Sequence, residues 1–139
     1  MPRFLDSNIF LRYLIPDEPK MHLECINFFS NAKKKRDTLI TSTVVLAEIA
    51  WTLKSHYKKN RLEIASTLRS IIHISTLKLI DDYQHHQAIK YYEKVNIKFI
   101  DCLIASSKHL QNKTWQLVSY DTDFNKIKGL KRLEPGDIL

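Results

Sequence analysis

Apolar positions along this chain fall into two alternating kinds of run. Short runs at Phe4-Leu5, Thr38 to Thr41, Leu77 to Ile80, Gln116 to Ser119 and Leu130 to Leu133 have the length of buried strands. Longer stretches with helical spacing lie between them. Ile9 to Ile15 is a short helix stopped by Pro16. Glu18 to Lys34 follows, with Leu23, Cys25, Ile26 and Phe29 on its inner face. Ser42 or Thr43 caps a helix that runs to Tyr57. Leu62 to Ile72 is amphipathic, Asp81 or Asp82 caps a helix reaching Val95, and Phe99 to Leu110 is a strongly apolar helix. Asp121 to Asp123 reads as a turn and Phe124 to Ile127 as a helical turn. Strands alternating with helices predict a mainly parallel sheet with helices on both faces, a three-layer α/β/α sandwich. In such sheets ligands bind outside the carboxyl ends of the strands, so the residues just after each strand carry the most interest.

Composition narrows this picture. The 139 residues suit one domain spanning 1–139. Two glycines and four prolines are too few for an all-β sandwich. No apolar run approaches the ~18 residues of a membrane span, and no secretory leader precedes Arg3-Phe4-Leu5. A cytoplasmic protein is expected. Cys25 and Cys102, each among apolar neighbours, make neither a disulfide framework nor a zinc site and are read as buried, reduced thiols. The net charge of +7 has two explanations, a lysine-rich solvated surface or a polyanionic partner. The run Lys33 to Arg36 closes a helix, where it complements the negative end of the dipole, with phosphate contact as the alternative. The adjacent His85 and His86 point in different directions on a helix and are read as surface residues.

Candidate chemistry sits in the acidic positions. Asp6 follows the first strand; Asp121 and Asp123 follow a late one, so they share the carboxyl edge of the sheet. Each taken alone is also an ordinary turn residue or helix cap. Glu48 lies within Val44-Val45-Leu46-Ala47-Glu48-Ile49-Ala50-Trp51, and its neighbours one turn away are Val44, Val45, Trp51 and Thr52. A carboxylate buried in that stripe without a partner costs several kcal/mol or takes up a proton. Asp101, near the start of Phe99 to Ala105, meets the same difficulty if buried, although an Asp there also complements the helix dipole. A shared cation removes the difficulty for all of them. A set made only of carboxylates suits Mg²⁺ or Mn²⁺ and disfavours zinc.

Four of these segments, in order, resemble the PIN-domain nucleases, and within them the VapC-type toxins of toxin–antitoxin pairs. They are Phe4 to Ile9, Val44 to Ile49, Phe99 to Ala105 and Leu117 to Phe124, with a typical close at Gly129-Leu130 and Leu133-Glu134-Pro135. Each motif is short; their order and spacing over essentially the whole chain are what is specific. The resemblance implies a PIN-like sandwich and Mg²⁺- or Mn²⁺-dependent cleavage of RNA. Asp6, Glu48 and Asp101 match the family's three core acidic positions. The fourth falls on Asp121 or Asp123, with Asp121 slightly ahead. Ser7, Asn8 and Ser119 match small polar positions that brace the carboxylates; Ser7 also reads as a helix cap. Asp6 and Asp101 are the expected direct metal ligands. Glu48 and Asp121 or Asp123 bind through waters or orient the attacking one. The resemblance also implies a homodimer and a small antitoxin that inserts a basic side chain into the acidic site, with Phe10, Tyr13 and Leu14 as candidate contact surface or core.

With such a site, the positive charge acquires a role. Arg12, Lys54, Lys58, Lys59 and Arg61 are the candidates for holding RNA phosphates around it. Three other functions compete. A non-catalytic RNA-binding version of the fold typically lacks one or more of the acids, and all are present here. A haloacid-dehalogenase-like phosphatase needs a second Asp two residues after the first, where Asn8 stands. A nuclease acting on DNA remains open on sequence grounds.

Overall fold

The computed structural model describes residues 1–138. Its five strands, β1 (Arg3–Leu5), β2 (Leu39–Thr41), β3 (Leu77–Leu79), β4 (Gln116–Val118) and β5 (Arg132–Leu133), form one sheet in the order β3-β2-β1-β4-β5. Every pairing is parallel, with Phe4 opposite Ile40 on one side and Leu117 on the other. Helices α1 (Ser7–Leu14), α2 (Pro19–Lys35), α3 (Thr43–Ser55), α4 (Arg61–Ile72), α5 (His85–Lys94), α6 (Phe99–Ala105) and α7 (Lys108–Gln111) flank it, giving the α/β/α sandwich. From β1 the chain first builds outward through β2 and β3, then returns to build β4 and β5 on the other side. Strand order therefore reverses between β1 and β4, which creates a crevice at their carboxyl ends. Asp6 ends β1 and Ser119 ends β4 at that point.

The main core joins the strands to α1, α2, α3 and α4, with Leu5, Ile9, Phe10, Ile40, Ile49 and Leu117 fully enclosed. A smaller core of Ala88, Ile97, Cys102, Ala105 and Ile127 seats α5 against α6. Cys25 and Cys102 are free and buried, as expected, and burial pushes the Cys25 thiol up to about 11. No helix among the described residues is long and apolar enough to cross a membrane.

Three local expectations are corrected, and the open choice at Phe10 is decided. The inner face of α2 is Cys25, Phe28, Phe29 and Ala32, while Leu23 and Ile26 are exposed. The stripe is rotated because Phe29 packs on Phe10 and Tyr13 of α1, with ring centroids 5.9 and 4.3 Å away. Phe10 is consequently core and not contact surface; Leu14 of the same helix stays exposed. Neither Asp81 nor Asp82 caps α5, which starts only at His85. Asp81 instead accepts from the Thr43 backbone N–H (2.8 Å) and hydroxyl (2.7 Å). The first N–H groups of α3 lack intrahelical partners, and Ser42 makes no side-chain cap for them. The helix expected over Phe99 to Leu110 breaks at Ser106-Ser107. The Ser106 hydroxyl donates to the Leu103 carbonyl (2.6 Å) and accepts from Gln84 N–H (3.0 Å), offering the backbone an alternative to the helix ladder.

Candidate active site

Asp6 is the N-cap of α1, and the reason is local: its Oδ1 accepts from Ser7 N–H at 2.8 Å. Its Oδ2 accepts from the Ser119 hydroxyl at 2.6 Å and from Asn8 Nδ2 at 3.4 Å. Asn8 further ties β1 to β4, since its Oδ1 accepts from Tyr120 N–H at 3.1 Å. Ser119 extends the chain of bonds to Asp121, whose N–H donates to its hydroxyl at 3.0 Å. Arg132, from β5, donates to the Ser119 carbonyl at 2.8 Å and holds the strand end from behind. Ser7, Asn8 and Ser119, the expected bracing residues, thus all contact the carboxylates.

Glu48 reaches the crevice from α3. Its Oε1 accepts from the Ser7 hydroxyl at 2.5 Å and its Oε2 from Lys98 Nζ at 3.0 Å. Its environment is less apolar than the sequence implies. Val45 and Ile49 are buried, but Trp51, one turn on, is 68% exposed. Asp101 enters from α6 and is 1% exposed. Its Oδ2 is buried with no hydrogen-bond partner. Carboxylate oxygens of Asp101, Asp121 and Asp123 all lie within 4.8 Å of one another. Asp6 lies outside this trio. The trio keeps both fourth-position candidates together, although they differ in their bonds. Asp121 Oδ1 caps the turn by accepting from Asp123 N–H (2.9 Å), whereas Asp123 pairs with Lys126 at 3.2 Å.

The electrostatics follow from this crowding. Burial pushes Asp6 up to about 6, and the charges of Glu48 and Asp121 add to it against the opposing bonds from Ser119 and Ser7. Burial also pushes Asp101 up to about 7, with Asp6, Asp121 and Glu48 reinforcing and Lys98 opposing. Lys98 is a site residue that the sequence reading missed. Burial works against its charge, but the Glu48 bond and the charges of Glu48, Asp101 and Asp6 outweigh it and hold its pKa above the usual lysine value. The available signal was its position three residues before Asp101, one helical turn away. The donor set contains only oxygens, is crowded with negative charge, and includes a buried carboxylate oxygen lacking a donor. These features fit a hard divalent cation held by Asp101, Asp121 and Asp123 beside Asp6.

The five basic candidates separate. Arg12 pairs with Asp17 at 3.1 Å, and Asp17 also accepts from Tyr57 at 2.8 Å, so this guanidinium is engaged. Lys54, Lys58, Lys59 and Arg61 cluster where α3 ends and α4 begins. Lys58 turns the chain there with φ 56°. Lys59 stands 3.9 Å from Glu63. Lys54 and Arg61 have no carboxylate partner among the described residues.

The sheet order, the crevice at the strand reversal and the acids within it define a class, and comparison with known proteins agrees. The PIN domain family model matches residues 3–130, and the chain belongs to that family. It is 28% identical over 134 residues to a VapC ribonuclease of Aquifex aeolicus (strain VF5), covering 96% of each chain. Similar folds are VapBC2 from Rickettsia felis, solved bound to a DNA fragment from its promoter (TM-score 0.68, 23% identity, 96% of this chain and 98% of that one), and VapC20 of Mycobacterium tuberculosis, described as a toxin that cleaves the sarcin-ricin loop (TM-score 0.65, 14% identity, 90% and 93%).

Proposed function

We propose that this chain is a divalent-metal-dependent endoribonuclease, using Mg²⁺ or Mn²⁺, and the toxin of a type II toxin–antitoxin pair. The observation that carries the reading is the buried, donorless Asp101 Oδ2 at the edge of the Asp101–Asp121–Asp123 trio. An ion bound there would supply charge neutralisation at the scissile phosphate and a water of lowered pKa. Asp101, Asp121 and Asp123 would hold the ion, while Ser7, Asn8 and Ser119 fix the rotamer of the neighbouring Asp6. Glu48, steadied by Ser7 and Lys98, orients the attacking water. The presence of every acidic position speaks against a non-catalytic version of the fold.

Similarity to a VapC ribonuclease supports RNA as the substrate, and the paired VapBC2 supports a small antitoxin as partner. We further propose a homodimer whose antitoxin places a basic side chain in the acidic crevice. The proposed compartment is the cytoplasm, where the two free thiols stay reduced.

The test incubates purified protein with defined RNAs and with single-stranded DNA, in Mg²⁺, in Mn²⁺ and in EDTA. RNA cleavage that needs the metal and vanishes in a folded Asp6→Asn variant is the expected result. Cleavage of DNA alone would reassign the substrate. Full RNA cleavage by Asp6→Asn would sink the site assignment.

A further inference from the structure

Trp51 is an anomaly on α3 that the acidic site does not use. It is an indole 68% exposed on a helix that otherwise buries Val45, Ile49 and Leu53. It lines a groove of about 530 Å³ between α3 and α4, together with Ala47, Ala50 and Ile64, and with Lys54, Lys59 and Arg61 at its rim. The two alanines leave room beside the ring for a flat group. The groove also lies close to the chemistry. At 1.5 Å of rise per residue, Trp51 is about 5 Å and Lys54 about 9 Å along the helix from Glu48.

We propose that this groove is a subsite for an unpaired nucleobase of the RNA substrate, stacked on Trp51, with Lys54 and Arg61 holding the phosphates on either side of it. The proposal rests on the ribonuclease reading above. Three features select this occupant. An exposed indole is a sequence-tolerant platform for a base. Lys54 and Arg61 have no carboxylate partner among the described residues, which suits backbone phosphates. The acidic crevice one turn away repels phosphates, so flanking nucleotides need cations just beyond it. A duplex keeps its bases stacked internally and cannot fill this groove, so the subsite favours single-stranded segments of the target.

Tryptophan fluorescence provides a direct readout. The chain has two tryptophans, and Trp115 is buried and stacked 4.3 Å from His109, so it serves as an internal reference. In EDTA, which prevents cleavage, an unstructured 12-nucleotide RNA is expected to quench emission from the wild-type protein, while a duplex of the same sequence leaves it unchanged. Trp51→Ala is expected to weaken that RNA about tenfold, and Trp51→Phe to recover most of the loss. Lys54→Ala and Arg61→Ala are expected to weaken binding and flatten its salt dependence. Absence of quenching, or equal affinity of wild type and Trp51→Ala, overturns the subsite. So does equal competition by polyglutamate with no dependence on Trp51, which leaves only a charge patch. A concentration-dependent blue shift of Trp51 emission without RNA, accompanied by dimer formation, overturns it in favour of a second copy of the chain. Metal-dependent RNA cleavage with an unaltered KM in Trp51→Ala would remove the subsite and leave the ribonuclease reading standing.

Discussion

The two ends of the same working surface are built on opposite principles. In the acidic crevice at the β1–β4 reversal, Asp6 and Asp101 are 2% and 1% exposed, and Ser7, Asn8, Ser119 and Lys98 hold the carboxylates around them. At the α3–α4 groove, one helical turn from Glu48, an indole and two cations stand in water with few bonds to their neighbours. The crevice concentrates like charge where it is least welcome, which raises the pKa of Asp6 and Asp101. The groove keeps charge where it is cheap and leaves its side chains free to adapt. Bond-breaking calls for fixed oxygens on strand ends; holding a varied polymer suits mobile side chains on helix ends.

The strongest test of this contrast is Asp101→Asn. Cleavage is expected to fall at least about a thousandfold, since the variant removes a charge opposite the proposed ion. Stability moves the other way. Asp101 titrates near 7 in the folded protein against an ordinary value of 3.8. The folded chain therefore holds its proton while the unfolded chain releases it, and metal-free stability declines as pH rises from about 4 to 7. Asp6, at about 6, adds to the decline. Asp101→Asn is expected to raise the metal-free protein's stability at pH 8 by on the order of 3 kcal/mol, measured by urea unfolding in EDTA. A variant that is less stable at pH 8 than wild type would contradict the account of a strained crevice.

A smaller effect is expected from Ser119→Ala, which removes the 2.6 Å bond to Asp6 and the acceptor for Asp121 N–H together. Groups that orient metal-binding carboxylates are worth about 10- to 100-fold in metal affinity or activity. Metal titration and single-turnover cleavage should both show that loss, with RNA affinity in EDTA unchanged. Loss of RNA affinity instead would blur the division between crevice and groove.

The smallest effect concerns Lys98. Its ammonium, 3.0 Å from Glu48, lends the crevice a positive charge that would oppose a bound cation. Lys98→Met is expected to tighten Mg²⁺ binding several-fold in calorimetry and to lower metal-free stability at pH 8, where the acids lose a counterion. Weaker Mg²⁺ binding would mean that Lys98 steadies Glu48 more than it opposes the ion.

Much of this was legible in the sequence, for identifiable reasons. Asp6, Asp121 and Asp123 follow apolar runs of strand length, and a parallel sheet carries the ends of its strands to one edge. Glu48 and Asp101 stood out as carboxylates within apolar helical runs. Lys98 and Trp51 did not stand out, because lysine at a helix start and an aromatic residue in an apolar helix are both unremarkable locally. The break at Ser106-Ser107 was hidden for a similar reason: besides the Leu103 carbonyl, its hydroxyl partners, Gln84 and Asp82, lie more than twenty residues away.

The sequence by itself determined the alternation of strands and helices, the order of the acidic motifs and the burial of both cysteines, because these depend on periodicity and residue chemistry over short stretches. Tertiary structure decided which oxygens meet. It put Asp101, Asp121 and Asp123 in one trio, left Asp101 Oδ2 without a donor, brought Lys98 to Glu48, turned Asp81 away from α5 to cap α3, and left Trp51 in solvent beside Lys54 and Arg61. Each of these depends on the rotation of one helix against another, and a helical pattern read along the chain leaves that rotation open by a residue or two, enough to carry a side chain from core to water.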